Sequence, residues 1–119
     1  MANPVYSYTL PFPPSTNRLW RIAGKRMYRS KRYMEWIGEC ALALELEARP
    51  EIDYPFNIEI VAGRPDKRRR DLDNLSKPIL DVLQHCQVIK DDCFANRITM
   101  MWATDIEGAK VTIWKAEAQ

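Results

Sequence analysis

The sequence predicts an α+β domain over residues 1–119, in which a small mixed β-sheet packs with two helices. Alternating apolar runs rich in β-forming residues mark the strands. Two longer stretches repeat their apolar residues at helical spacing and mark the helices. The order is strand, hairpin, helix, strand, helix, strand, strand, which is not the strict alternation of a doubly wound parallel fold. At 46% hydrophobic and 29% charged, the chain excludes a disordered tail, a collagen and a disulfide-dense scaffold.

Val5-Tyr6-Ser7-Tyr8-Thr9-Leu10 alternates and reads as the first strand. Pro11, Pro13 and Pro14 stop it and make PFPPSTN a stiff surface connector. Residues 21–28 suggest a short basic hairpin turning at Gly24-Lys25. Ser30 is placed to N-cap a helix of about 18 residues ending before Pro50. Tyr33, Ile37, Cys40, Ala41, Leu44 and Ala48 form its apolar face. Residues 56–62 alternate as a strand that Gly63-Arg64-Pro65-Asp66 breaks.

A second helix falls between Leu72 and His85, with Leu72, Leu75, Ile79, Val82, Leu83 and Cys86 as its buried stripe. Pro78 lies inside that pattern, where a mid-helix proline costs about 3 kcal/mol. A late start near Asp73 or Asn74 brings Pro78 close to the first turn and lowers that cost. Residues 87–94 read as a loop. Residues 97–103 and 109–115 are expected to pair as a closing hairpin.

No apolar run approaches the roughly 20 residues of a membrane span, and the N-terminus has no basic-then-apolar leader pattern. A cytoplasmic protein without membrane contact is expected. Cys40, Cys86 and Cys93 are odd in number and form no CxxC pair, which fits free thiols. His85, Cys86 and Cys93 match no common zinc spacing and lack a fourth ligand.

Net charge is only +2, but its distribution is segregated. Residues 1–34 carry seven bases and no acid, and residues 63–70 carry five bases against Asp66. Between and after them, residues 35–62 and 71–92 are acidic. An isolated basic block usually marks only a solvated surface. Two of them in one small domain, the first interleaved with Trp20, Tyr28 and Tyr33, favour a polyanionic partner.

Arg68-Arg69-Arg70-Asp71-Leu72-Asp73-Asn74-Leu75-Ser76-Lys77 is the most specific segment. Two carboxylates two residues apart can converge on one cation, and Asp91-Asp92 is a second carboxylate source after the helix. Oxygen-only ligation favours Mg²⁺, with Mn²⁺ as a substitute. A hard cation lets acids and arginines share one anionic substrate. Each residue also has a plainer reading. Either Asp71 or Asp73 could cap the helix, and Lys77 could form a surface i,i+4 pair worth about 0.3–0.5 kcal/mol. Asp81 continues the Asp73–Lys77 face one turn further.

RRRDLDNLSKPILD, the following VIKDD and the opening YSYTLPFPPSTNRLWR together resemble the RusA family of Holliday junction resolvases. The resemblance runs through most of the chain. It implies a homodimeric, Mg²⁺-dependent endonuclease that makes paired nicks across a four-way or branched DNA, encoded by a bacterium or phage, with no small-molecule cofactor. By position, it makes Asp71, Asp73 and Asp92 the catalytic, metal-binding carboxylates, with Asp91 the alternate, and Lys77 the essential lysine. Asn17, Arg18, Arg21, Lys67, Arg68, Arg69 and Arg70 are the expected DNA contacts. The three carboxylates are expected to gather within one metal coordination sphere. A non-catalytic branched-DNA-binding protein and a nucleotide phosphohydrolase are the competing classes.

Overall fold

The computed structural model describes residues 4–14, 20–23, 26–45, 47 and 51–117. Its strands are β1 (Val5–Leu10), β2 (Trp20–Ala23), β3 (Arg26–Arg29), β4 (Phe56–Gly63), β5 (Ala95–Ala103) and β6 (Ala109–Lys115). Its helices are α1 (Lys31–Glu45) and α2 (Ser76–His85), with short 3-10 turns at Leu72–Leu75 and Asp92–Phe94. The four-stranded mixed sheet has the order β1-β6-β4-β5, and β2 and β3 form a separate antiparallel ribbon. Of β2 and β3 only the backbone course and pairing are described. The expected turn at Gly24-Lys25 lies outside the described residues, as do Ala48 and Pro50.

The expected α+β class is the observed one, but the closing hairpin is not. β5 pairs in parallel with β4, whereas β6 runs antiparallel between β1 and β4. Alternation identifies strands without naming their neighbours, and burial chooses here. β6 buries Ala109, Val111 and Ile113, so it takes an interior position, while β5 is half-exposed and takes the edge. Residues 104–108 arch over the end of β4, where the Gly63 amide donates to the Gly108 carbonyl at 3.0 Å. A Cβ on Gly63 would collide with the Ile106 carbonyl oxygen. Gly108 takes a φ of 78°, a conformation favouring glycine.

Tyr8 and Leu10 of β1, Phe56, Ile58, Ile60 and Ala62 of β4, and the buried β6 residues make one sheet face. Tyr33, Trp36, Ile37, Cys40 and Leu44 of α1 and Ile79, Leu80, Val82 and Leu83 of α2 cover it. Ser30 caps α1 as expected, its Oγ accepting from the Tyr33 amide at 3.1 Å. Trp36 donates its indole N–H to the Pro11 carbonyl at 2.9 Å and so ties the proline connector to the core. α2 begins at Ser76, after a 3-10 turn, which places Pro78 in the first helical turn. The first four amides of a helix have no intrahelical acceptor, so its missing N–H costs little there.

Candidate active site

The basic segment after β4 is folded around one carboxylate. Asp66 accepts from the Arg68 amide at 3.0 Å, from Arg68 Nε at 3.2 Å and from Arg70 Nη2 at 3.0 Å. The Arg68 amide bond, followed by the Arg70 side chain, holds the Asp66 carboxyl below its ordinary value of 3.8. Arg70 is largely buried, its guanidinium lying 5.4 Å over the Phe12 ring. Phe12 stacks on Trp102 at 6.1 Å, and Arg64 sits 4.4 Å over the other aromatic system of that pair, Trp102. This ladder fixes the segment to the carboxyl end of β5. Arg70 Nε is buried without an acceptor among the described residues. Its desolvation is offset by the Asp66 pair and the Phe12 face.

The four cations expected on DNA therefore divide. Lys67 and Arg69 are exposed with no ion pair among the described residues, whereas Arg68 and Arg70 are paired to Asp66. Asp66 produces that split: residues 65–68 bend around its carboxylate, which takes the Arg68 amide and the Arg68 and Arg70 side chains. Asn17 and Arg18 lie outside the described residues. Arg21 lies on β2, where only the backbone is described.

Asp71 and Asp73 open the turn before α2, and both are exposed. Neither takes the capping role that was their plainer reading. Asp71 precedes the turn in an extended conformation without a side-chain cap bond, and the residue capping α2 is Leu75. Among the described residues no hydrogen bond or ion pair engages either carboxylate, although arginines precede them directly. Burial forces no such isolation on exposed acids beside arginines. Oxygen donors in that condition suit a hard cation or its hydration shell.

Lys77 takes the i,i+4 pair of its plainer reading, with Asp81. Its Nζ donates to Asp81 Oδ1 at 3.2 Å, one turn further along α2. Asp81 is mostly buried and accepts a second bond at Oδ2 from the fully buried Tyr33 hydroxyl, at 3.1 Å. Sequence reasoning placed Asp81 only on the lysine's face. It gave no sign of Tyr33, which stands 48 residues away.

The Asp91-Asp92 pair separates by role. Asp91 caps the second 3-10 turn, accepting from the Cys93 amide at 2.8 Å, and that bond holds its carboxyl below 3.8. Asp92 is half-exposed, and its amide donates to Gln84 Oε1 at 3.1 Å in the last turn of α2. Asp71 and Asp73 precede the first turn of the same helix, which is ten residues, or about 15 Å, long. Accordingly, among the described residues no group of three His, Cys, Asp or Glu side chains could hold a metal ion. The expected gathering of three carboxylates is not a property of the single chain. The Asp71–Asp73 pair alone fits Mg²⁺, which is usually held by one or two carboxylates plus water and phosphate oxygens.

Cys40 is buried, and burial pushes its thiol up to about 12. His85 is exposed at the end of α2.

The structure thus presents an arginine-braced turn with two exposed carboxylates, unpaired among the described residues, on an α+β scaffold. Residues 11–114 match the family described as Endodeoxyribonuclease RusA, and the chain belongs to that family. It is 32% identical over 111 residues to the crossover junction endodeoxyribonuclease of Enterobacteria phage HK97, with 91% of each chain covered. It is 33% identical over 89 residues to that of Aquifex aeolicus, covering 74% of this chain and 70% of the relative. For that of Escherichia coli K12 the identity is 38% over 89 residues, with 73% of each covered. No helix among the described residues is long and apolar enough to cross a membrane.

Proposed function

We propose that this protein is a structure-selective endodeoxyribonuclease that resolves Holliday junctions, acting as a homodimer with Mg²⁺ as its cofactor. The observation that carries the reading is the exposed, unpaired Asp71–Asp73 turn directly after the arginine segment, in a chain of the RusA family. Lys67 and Arg69 neutralise phosphates on the DNA arms. Arg68 and Arg70, drawn together by Asp66, keep that segment in shape. Asp71 and Asp73 would hold the cation, which supplies an activated water and polarises the scissile phosphate. Lys77, on the first turn of α2 beside them, offsets negative charge as it builds on the phosphoryl oxygens. Two copies related by a two-fold axis would present matching sites to the matching strands of a four-way junction.

The test is Asp73→Asn on a synthetic four-way junction. Binding should be retained at the wild-type level while cleavage is lost. Chelating divalent cations from the wild type should abolish cleavage, and Mg²⁺ or Mn²⁺ should restore it. A wild-type protein that binds the junction and leaves it uncut with either ion, at every pH and salt tried, would instead be a binding module. Cleavage suppressed by excess mononucleotide would point to a nucleotide phosphohydrolase.

A further inference from the structure

Lys77 has an aspartate on either side of it along the chain, Asp73 four residues before and Asp81 four residues after. Residues at that spacing are neighbours on a helix, so a lysine there can pair with either. The ammonium is bonded to Asp81, and among the described residues no ion pair or hydrogen bond reaches the Asp73 carboxylate. Two features of the fold make that choice. The first is the backbone: Asp73 lies in the 3-10 turn Leu72–Leu75, whereas Lys77 and Asp81 both lie in α2. A 3-10 turn winds about 120° per residue against about 100° in an α-helix, so it rotates Asp73 away from the face that Lys77 and Asp81 share. The second is Tyr33 of α1. Its hydroxyl, on a side chain with no exposed surface, donates to Asp81 Oδ2 at 3.1 Å. That bond ties one carboxylate oxygen into the core. The other oxygen, on a side chain 15% exposed, is thereby held beside a lysine that is 63% exposed. A surface ion pair with two free partners is weak, because both side chains must be ordered to form it. Here the carboxylate is already ordered.

We infer that Tyr33 and Asp81 are positioning residues that hold Lys77 off Asp73, so that the Asp71–Asp73 pair stays open to a divalent cation until phosphate oxygens draw the lysine over. This rests on the reading that Asp71 and Asp73 hold that cation. A lysine released onto Asp73 would neutralise the carboxylate and compete with the cation for the same oxygens. The four-carbon stem of a lysine is flexible enough to reach in either direction along the helix, so its default partner has to be set by something rigid. Asp81 is not itself a rival ligand, because both of its oxygens are engaged, one by Lys77 and one by Tyr33. The hydroxyl comes from another helix, 48 residues away in the chain, so the lysine is placed by the packing of α1 on α2 rather than by α2 alone.

Calorimetry of Mn²⁺ binding without DNA tests this, because Tyr33→Phe removes the hydroxyl and changes no charge. Tyr33→Phe should raise the Mn²⁺ dissociation constant about threefold, the scale set by one exposed ion pair formed in the wrong place. In a Lys77→Met background the same substitution should leave the constant unchanged, since no lysine is left to release. A purely structural role for Tyr33 would weaken binding equally in both backgrounds. Asp73→Asn should abolish binding. If Tyr33→Phe binds Mn²⁺ as tightly as the wild type, or is weakened equally with and without Lys77, while Asp73→Asn still loses the ion, the positioning role is overturned and the carboxylate pair stands. If Asp73→Asn binds Mn²⁺ normally, the carboxylate-pair reading fails and the positioning role fails with it. Thermal unfolding is measured for every variant. Should Tyr33→Phe not fold, Asp81→Asn in the wild-type and Lys77→Met backgrounds makes the same comparison. A larger loss of affinity with the lysine present supports the role, and an equal loss overturns it.

Discussion

At the scale of single residues, Asp66 decides which of its neighbours are available to a ligand. Arg68 and Arg70 are engaged, and Lys67 and Arg69 face solvent without partners among the described residues. Lys67→Ala or Arg69→Ala should therefore reduce the slope of log affinity against log salt by about 0.9 for each phosphate left without its cation. Arg70→Ala should instead lower stability, by removing the Asp66 pair and the packing on Phe12. Binding titrations from low to high salt, read beside thermal unfolding, separate the two behaviours. The folded value of Asp66 lies below its ordinary 3.8, so its stabilising effect is present above 3.8 and is lost as pH falls through the folded value. An NMR titration of the Asp66 carboxyl should show a midpoint under 3.8 that returns toward it in Arg70→Ala. Asp81 works at the same scale. Clamped by Tyr33, it fixes the direction of Lys77, so Asp81→Asn should slow cleavage about tenfold while leaving junction affinity intact. An equal drop in cleavage from Asp81→Asn in a Lys77→Ala background would show that Asp81 acts by some route other than the lysine.

At the scale of elements, the legible parts were those where one local signal dominates. β1 needed only alternation ended by proline, and α1 needed only the Ser30 cap and its apolar face, of which Tyr33, Ile37, Cys40 and Leu44 are buried as expected, while the buried Trp36 was not read there. The position of Pro78 correctly argued for a late start to α2, because a proline tolerates only the first turn. Strand neighbours were not legible. The parallel β4–β5 pairing and the insertion of β6 depend on which strand buries more, a tertiary property that alternation shares equally among all strands. The same limit applied at the site. Asp71 and Asp73 were readable as a pair because they stand two positions apart, whereas the end of the sheet that Asp92 occupies follows only from the crossover. Glycine gives this scale its measurable contrast. Gly38 is exposed in mid-α1 with open space where a Cβ would go, so Gly38→Ala should stabilise the fold by about 1 kcal/mol. Gly63→Ala drives a Cβ into the Ile106 carbonyl and should cost about 1–3 kcal/mol. Urea unfolding of both variants checks the opposite signs.

At the scale of the whole molecule, the two ends of the sheet carry different chemistry. The carboxyl end of β5 carries the arginine segment and a carboxylate pair without partners among the described residues, and the amino end carries Asp92. β5, the edge of the described sheet, exposes Ile98 at 41% and Met101 at 43%, on opposite faces of the strand, and is a candidate surface for the proposed homodimer. Charges on an edge strand are a standard obstacle to pairing. Ile98 is not among the buried residues of the core, so Ile98→Lys should leave the fold intact. If the proposed homodimer pairs through this edge, the variant should sediment as monomer at micromolar concentrations where the wild type is a dimer. On the proposed homodimer reading, its cleavage should fall with the dimer fraction and recover as protein concentration rises. A variant that remains dimeric and fully active would place the interface of the proposed homodimer on another surface.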